Sequence, residues 1–289
     1  MKYKHNSFII QKYIERPLLI HQRKFDIRAW VLINFDFSCY LFREGYLRTS
    51  SSEFSIDPNN PDDQYVHLTN NAIQKFADNY GSFEDGNQMS YKSFEAYLAQ
   101  QGSPVSFKEE LVPKMKQLIV RSIFATKSQL DPQRRKSCFE VFGYDFIIDE
   151  DFNLWLIEVN TNPCIEESSS LLSTYLPRMV DDMLKLSVDS FFGDFQGQPQ
   201  VEQAAFPVDG YEDSENMWEL LVNARDKASK REAKNLYFTP VGVRSRYAFQ
   251  ISDRQFKVRR YQQEQEGLEA GGPGGGGALM RDLGTAGYV

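Results

Sequence analysis

The sequence predicts an α+β protein in which a mainly antiparallel sheet packs against helices. Short apolar runs bounded by turn residues predict the strands, and an apolar hairpin late in the chain predicts antiparallel pairing. Longer segments whose apolar residues recur every three or four positions predict the helices. With 289 residues, of which 41% are hydrophobic, the chain is long enough to enclose a sizeable core.

The start of the chain predicts several strands in succession. Ser7–Tyr13 and Phe25–Asn34 are apolar runs that suit buried strands. Phe37–Phe42 predicts a third strand, followed by a turn at Arg43–Gly45 and a short return strand, Tyr46–Thr49.

A loop and several helices are predicted after these strands. The loop is Ser50–Asp63, which is rich in Ser, Asn, Asp and Pro. Helices are predicted at Tyr91–Gln100, Lys108–Thr126 and Ser170–Phe191, and the charged stretch Asn216–Lys234 has the composition of a further helix.

The chain is expected to divide into two regions. Residues 1–192 hold the patterned segments and form one domain, whereas residues 193–289 are expected to be a poorly ordered extension. The extension includes a Gly-rich tail with the low-complexity run Gly271–Gly277.

Charge and hydropathy exclude some classes of function. The net charge of −7 disfavours nonspecific nucleic-acid binding, although residues 1–48 carry nine Lys and Arg against four Asp and Glu. No window approaches the roughly 18 consecutive apolar residues of a membrane span, and no apolar signal core follows the N-terminus. These features predict a cytoplasmic protein that binds neither nucleic acid nor a membrane.

The segments Phe139–Ile148 and Leu154–Asn160 predict a hairpin that brings two acids together. If its loop is Glu150–Asn153, paired positions sum to 303, so Asp145 lies opposite Glu158. Directly opposed Cβ atoms are about 4.5–5.5 Å apart, and like charges there destabilise a sheet. A cation between the two carboxylates would remove that conflict.

Asn160 is expected on the same strand face as Glu158, because it lies two residues further along. Two carboxylates and an amide form an oxygen-only set that suits Mg²⁺ held jointly with nucleotide phosphates. The same pattern is equally typical of an acid pair that is solvated or paired with lysine, so the hairpin alone leaves both interpretations open.

A cationic cluster is predicted near the start of the chain. Lys24, Asp26 and Arg28 alternate at period two and share a face, and Arg48 lies on a neighbouring strand. Converging Lys and Arg side chains suit the binding of phosphate or carboxylate groups. Each arginine taken alone is more typical of a surface ion pair, and His67–Asn71 taken alone is typical of a helix cap or Asx turn.

Several long motifs, in this order, resemble the tubulin tyrosine ligase-like family of the ATP-grasp superfamily. They are IQKYIERPLLI at 10–20, RKFDIRAWVL at 23–32, YLFREGYLRTS at 40–50, HLTNNAIQK at 67–75 and FGYDFIIDEDFNLWLIEVNTNP at 142–163. The resemblance implies the ATP-grasp large lobe as the fold, with the family's N-terminal lobes missing from this sequence. Within the family, the motifs lean toward tyrosine ligase itself.

The resemblance also implies roles for individual residues. Asp145, Glu158 and Asn160 would bind Mg²⁺ and the ATP phosphates. Arg28, Arg48 and Glu158 would be catalytic, at the reacting carboxylate or acyl phosphate. The residues implied to bind ATP are Gln11, Lys12, Tyr13, Ile14, Lys24, Asp26, His67, Thr69, Asn70, Asp145, Ile157, Glu158 and Asn160.

The function that the resemblance implies is an ATP- and Mg²⁺-dependent ligase. It would add tyrosine, glutamate or glycine to tubulin, at an acidic C-terminal tail, through an acyl-phosphate intermediate. Its partners would be tubulin and a free amino acid, in the cytoplasm, on the microtubule cytoskeleton or in a cilium. The alternative is a truncated, non-catalytic nucleotide-binding or microtubule-associated remnant, because the expected loss of the N-terminal lobes puts autonomous ligation in doubt.

Overall fold

The computed structural model describes residues 10–57, 63–133, 135, 138–189, 206–227, 229 and 231. The strands in these ranges are β1 Leu19–Ile20, β2 Arg23–Ile33, β3 Cys39–Glu53, β4 Gln88–Ser90, β5 Glu140–Ile148, β6 Leu154–Asn160 and β7 Trp218–Val222. The α-helices are α1 Gln64–His67, α2 Asn71–Gln74, α3 Tyr91–Gln100, α4 Val112–Leu130 and α5 Ser170–Leu184. No helix in the described ranges has the length and apolar character needed to cross a membrane.

The seven strands of the described residues form one sheet, and every pairing in it is antiparallel. The order across the sheet is β4-β3-β2-β5-β6, with β1 paired to β2 and β7 paired to β3. This architecture confirms the predicted α+β class with a mainly antiparallel sheet and packed helices. The predicted helix Tyr91–Gln100 and strand Leu154–Asn160 have the bounds expected from the sequence.

Strand β2 divides the core into two parts, because its side chains alternate between the two sheet faces. One face carries Phe25, Ile27 and Val31, and packs against α3 and α4. The other carries Trp30 and Leu32 and packs against α5 and the segment 206–218. Asp26 and Arg28 share this second face. They precede Trp30 and Leu32 along β2, so this part of the face carries charged side chains.

The turn predicted at Arg43–Gly45 is wrong, because β3 runs without interruption through these residues. Ala29 pairs with Gly45 but Val31 pairs with Leu41, so β3 carries two extra residues at this point. The extra residues form an irregularity in a continuous strand. The Arg43 amide donates to the carbonyl of Met217, the residue before β7, so one amide of the disturbed segment has a partner there.

Two other predicted elements are wrong in the described ranges. The expected strand Ser7–Tyr13 is irregular and exposed from Ile10 to Tyr13, since no strand of the described residues pairs with it. The helix expected at Asn216–Lys234 is wrong in its first part, which forms strand β7, because β3 offers its free edge there and Trp218 is buried against α5, whereas the described residues 227, 229 and 231 are helical. Tertiary pairing has overridden a weak local helix preference.

Residues 206–227 belong to the folded structure, since Val208, Met217 and Val222 are buried in its two cores. The expected extension is therefore ordered and packed over this part of its length. What the sequence predicts for 193–205 and for the Gly-rich tail lies outside the described residues and stays a prediction.

Candidate functional site

Two arginines and two aspartates form a buried network on the polar end of the second sheet face. Arg28 pairs with Asp145 across β2 and β5, with 2.5 Å from Nε to Oδ1 and 3.0 Å from Nη2 to Oδ2. Arg48 pairs with Asp26 across β3 and β2, with 2.7 Å from Nε to Oδ1, and its Nη2 also lies 2.9 Å from Asp145 Oδ2. The expected convergence of Lys/Arg side chains is present, but each guanidinium already holds a carboxylate.

Burial and charge act in opposite directions on this network. Arg28 and Arg48 are only 6% and 7% exposed, and Asp145 is 2% exposed. Burial alone would raise the pKa of Asp145, but Arg48 and then Arg28 outweigh it and hold that pKa below its usual range. Burial would likewise lower the pKa of Arg48, and Asp26 and Asp145 instead raise it well above its ordinary value. These shifts favour the ionised forms of Asp145 and Arg48.

Glu158 lies opposite Asp145, as the sequence predicted, but the residue pairing near the turn differs from the predicted one. Near the turn, Phe146 pairs with Leu156, so paired positions there sum to 302. Ile157 has no partner, and this bulge moves the register to 303 from Asp145 onward. The bulge, rather than the length of the turn, sets the two acids face to face.

Asn160 completes the expected group of three. Its Nδ2 lies 3.2 Å from Asp145 Oδ2 and 3.2 Å from Glu158 Oε1, so an amide N–H bridges the two carboxylates. Glu158 is exposed, whereas Asp145 is buried. Contact with water is one reason why the two acids tolerate each other, and the arginines on Asp145 are another.

The donor atoms present suit a hard cation, within limits. In the described ranges no group of three or more His, Cys, Asp and Glu side chains could hold a metal ion, so any site here depends on two carboxylates and an amide. Asp145 already accepts four hydrogen bonds from Arg28, Arg48 and Asn160. Glu158 is the exposed donor, and a bound Mg²⁺ would need further oxygens from water or phosphate.

A second polar cluster joins the start of the chain to the segment after β3. Lys24 Nζ donates to the His67 carbonyl at 2.8 Å and to the Tyr13 hydroxyl at 3.2 Å. The Tyr13 hydroxyl and His67 Nδ1 lie 2.8 Å apart. Burial lowers the pKa of Lys24, and Asp26 partly opposes this shift. Three residues implied to bind ATP therefore lie together, and one of them, Lys24, is on β2 with Asp26.

The other residues implied to bind ATP lie apart from this cluster or show no shared contact with it. Gln11 and Lys12 are exposed on irregular chain, and Lys12 pairs with Glu15. Thr69 is buried, whereas Asn70 begins α2 without a side-chain capping bond. Their roles stay predictions.

The Tubulin-tyrosine ligase family matches this chain over residues 1–196, about two thirds of its length and the part that holds the candidate site residues described above. The chain belongs to the tubulin-tyrosine ligase family. The α+β architecture with its antiparallel sheet is consistent with the ATP-grasp-like domain of that family.

Relatives in the family carry more specific names. Tubulin glycylase 3B of Tetrahymena thermophila is 39% identical over 189 residues, which is 64% of this chain and 16% of the relative. Tubulin monoglycylase TTLL3 of Homo sapiens is 35% identical over 192 residues, 64% of this chain and 24% of the relative. Probable tubulin polyglutamylase TTLL9 of Bos taurus is 38% identical over 165 residues, 56% of this chain and 34% of the relative. The chain thus spans between a sixth and a third of these proteins, and none of the three names supports the expected leaning toward tyrosine ligase.

Sequence reasoning missed some residues that shape this family member's site. Gly143 lies beneath the Arg28 guanidinium and Pro163, because a Cβ built on Gly143 would lie 3.3 Å from Arg28 Cζ and 3.0 Å from the Pro163 Cβ. Gln88 pairs with Arg48 in the sheet and binds two serines at the start of α5. A glycine inside an apolar strand was the available signal for Gly143. No comparable pattern pointed to Gln88, since the serines that it binds lie 80 and 81 residues further along the chain.

Proposed function

We propose that this chain is the nucleotide- and magnesium-binding part of an ATP-dependent ligase that adds an amino acid to tubulin. The observation that carries the proposal is the group formed by Asp145, Glu158 and Asn160 beside two buried arginines. Membership of the tubulin-tyrosine ligase family supports tubulin as the acceptor, and the names of the relatives favour glycine or glutamate over tyrosine.

The charges of the site support the joint binding of a cation and an anion. Arg28 and Arg48 supply two positive charges, and Asp26, Asp145 and Glu158 supply three negative ones, so the five side chains carry one net negative charge. A divalent cation would change this to one net positive charge. The site therefore favours an anionic ligand, such as a nucleotide phosphate or an acyl phosphate, when the cation is present.

Each residue then has a task in the proposed reaction. Glu158 and Asn160, with the remaining capacity of Asp145, would hold Mg²⁺, which supplies Lewis-acid stabilisation of charge on the transferred phosphoryl group. Arg28 and Arg48 are oriented by their aspartates and would oppose negative charge that develops on the reacting carboxylate. No nucleophilic side chain is needed, since the amino group of the incoming amino acid attacks the activated carboxyl carbon and displaces phosphate.

A substitution of Glu158 tests this function. The chain, and any longer gene product that contains it, is incubated with tubulin, ATP, Mg²⁺ and labelled glycine, glutamate or tyrosine. We expect incorporation into tubulin by the active protein and a loss of at least about 100-fold in Glu158→Gln, because one charge of the cation site is removed while its shape is kept. Glu109→Gln, at an exposed position on the helical turn before α4, should keep full activity.

The outcomes separate the candidate functions. Equal incorporation by Glu158→Gln and the wild type at ordinary Mg²⁺ would exclude Glu158 as an essential ligand. Mg²⁺-dependent ATP binding without incorporation of any of the three amino acids would favour the non-catalytic alternative. The proposed setting is the microtubule cytoskeleton or a cilium, where tubulin is found.

A further inference from the structure

The segment Thr161–Ser169, here named the crossing loop, traverses the sheet face that carries the two arginines. It leaves the end of β6 at Asn160 and reaches the start of α5 beside β4. Strands β6 and β4 lie at opposite ends of the order β4-β3-β2-β5-β6, so the loop passes across β5, β2 and β3. Strands β2 and β3 supply Arg28 and Arg48.

The first half of the crossing loop is fixed beside Arg28. Pro163 lies over Gly143. Gly143 is two residues before Asp145 on β5, so the two residues share a sheet face. The Arg28 guanidinium occupies the rest of the space above Gly143. A Cβ at residue 143 would press on both, so that Arg28 and Pro163 would have to move slightly, and the glycine therefore eases the approach of the loop.

The second half is fastened by a buried side chain, and the Ser170 amide directly after the loop donates to Asp85 Oδ2 at 2.8 Å. Gln88 is 6% exposed and lies opposite Arg48 in the pairing of β4 with β3. Its Nε2 donates to Ser168 Oγ at 2.9 Å, and its Oε1 accepts from Ser169 Oγ at 2.5 Å. Both polar ends of the amide are used, so the glutamine holds the loop and the first turn of α5 at once.

The middle of the loop has no such anchor in the described contacts. Cys164, Ile165, Glu166 and Glu167 are exposed, and Ile165 is 57% exposed despite being apolar. The loop is thus attached at two places, near Arg28 and beside Arg48, with an exposed span between them. Its far attachment consists of the two hydrogen bonds of Gln88 and the contact of Asp85 with the Ser170 amide.

We propose that Gln88 is a positioning residue, which latches the crossing loop across the arginine face and so holds Arg28 and Asn160 in the arrangement that the reaction needs. The inference rests on the proposed function, because it assigns Gln88 a role in that same site. Gln88 acts through the loop and touches no reacting atom. Loss of the latch leaves the Ser168–Ser169 end of the loop held by its continuation into α5, where the Ser170 amide donates to Asp85, and loosens the site by the small displacements that cost enzymes rate.

The first test measures the latch without any ligand. Gln88→Met keeps the shape of the side chain but removes both hydrogen bonds, and Gln100→Met makes the same change at the exposed end of α3. A glutamate-specific protease should cut after Glu166 or Glu167 at least about tenfold faster in Gln88→Met, because two hydrogen bonds no longer oppose local opening. The Gln100→Met protein should be cut there at the wild-type rate.

A second variant covers the case in which Gln88→Met does not fold. Ser168→Ala removes only one of the two hydrogen bonds, at a partly exposed position, and should raise the cleavage rate about threefold to fivefold. Wild-type cleavage rates in Ser168→Ala and in folded Gln88→Met would overturn the latch.

The second test asks whether the latch matters to the reaction. In the tubulin assay, kcat of Gln88→Met should fall about tenfold, while KM for tubulin stays within about twofold, because positioning rather than acceptor binding is lost. An unchanged kcat in a variant whose loop is cut faster would overturn the positioning role. Absence of ligation by the wild type would overturn the proposed function and this role with it, whereas the cleavage rates would still decide whether Gln88 fastens the loop.

Discussion

At the residue scale, Asp145 is the most heavily shared group of the candidate site. It accepts hydrogen bonds from both buried arginines and from Asn160, and it faces Glu158 across the hairpin. The same carboxylate therefore stabilises the fold and belongs to the expected cation site. Removing it would leave Arg28 without its partner in a place where water cannot replace the lost charge.

We expect Asp145→Asn to lower the free energy of unfolding by about 3 kcal/mol at pH 7, since it breaks a buried ion pair from one side. The pKa of Asp145 is lowered in the folded protein, so its contribution is present above the ordinary carboxyl pKa of about 3.9 and is lost as the pH falls through the folded value. Urea unfolding from pH 7 to pH 3 should therefore show a shallower loss below about pH 4 in Asp145→Asn than in the wild type. Asp151→Asn, at an exposed turn position, should match the wild type throughout.

At the element scale, the turn between β1 and β2 is made of residue types that rarely adopt its backbone conformation. His21 and Gln22 connect the paired residues Ile20 and Arg23, and both have positive φ, 49° and 61°. Two-residue hairpin turns of this kind favour Asn-Gly, because side chains strain the left-handed region. The T-shaped contact of His21 with Tyr97, whose ring centroids are 5.0 Å apart, helps to hold the turn.

Gln22→Gly should accordingly raise the free energy of unfolding by about 1 kcal/mol, because glycine adopts this backbone conformation without strain. Gln117→Gly, the same substitution inside α4, should lower it by about 1 kcal/mol. Thermal and urea unfolding of the two variants would measure this contrast. A loss of stability in both would mean that the turn is not strained.

At the scale of the whole molecule, the segment 206–227 is held by a buried arginine on α5. Arg178 donates to the carbonyls of Phe206 at 3.1 Å and Glu212 at 2.9 Å, and its partner Asp182 accepts from the Met217 amide at 2.8 Å. These contacts lie beyond residue 196, where the family match ends. The folded unit is therefore longer than residues 1–196, over which the family matches.

Truncation after residue 205 should destabilise the protein by more than about 5 kcal/mol, because the buried side chains of Val208, Met217, Trp218 and Val222 are each worth roughly 1.5–3 kcal/mol. Truncation after residue 231 keeps all of them and should leave the urea midpoint near that of the full chain. Similar midpoints for the two truncations would show that residues 206–231 do not support the fold.

The sequence by itself determined the local patterns and much of the site. The apolar runs Phe25–Asn34 and Leu154–Asn160 and the periodicity of Tyr91–Gln100 were sufficient for those elements, because each pattern depends on neighbours along the chain. The facing of Asp145 and Glu158 also followed from hairpin arithmetic, helped by a bulge at Ile157 that compensates for a shorter register near the turn.

Tertiary structure alone decided the pairing of distant segments. The residues Arg43–Gly45 have the composition of a turn, yet β2 and β7 hold them inside one strand, because they supply hydrogen-bond partners along both edges. Arg28 and Arg48 suited an anionic ligand on sequence grounds, and their actual partners, Asp26 and Asp145, emerged only when β2, β3 and β5 lay side by side. No sequence pattern indicated a role for Gln88, since the two serines that it binds are distant from it along the chain.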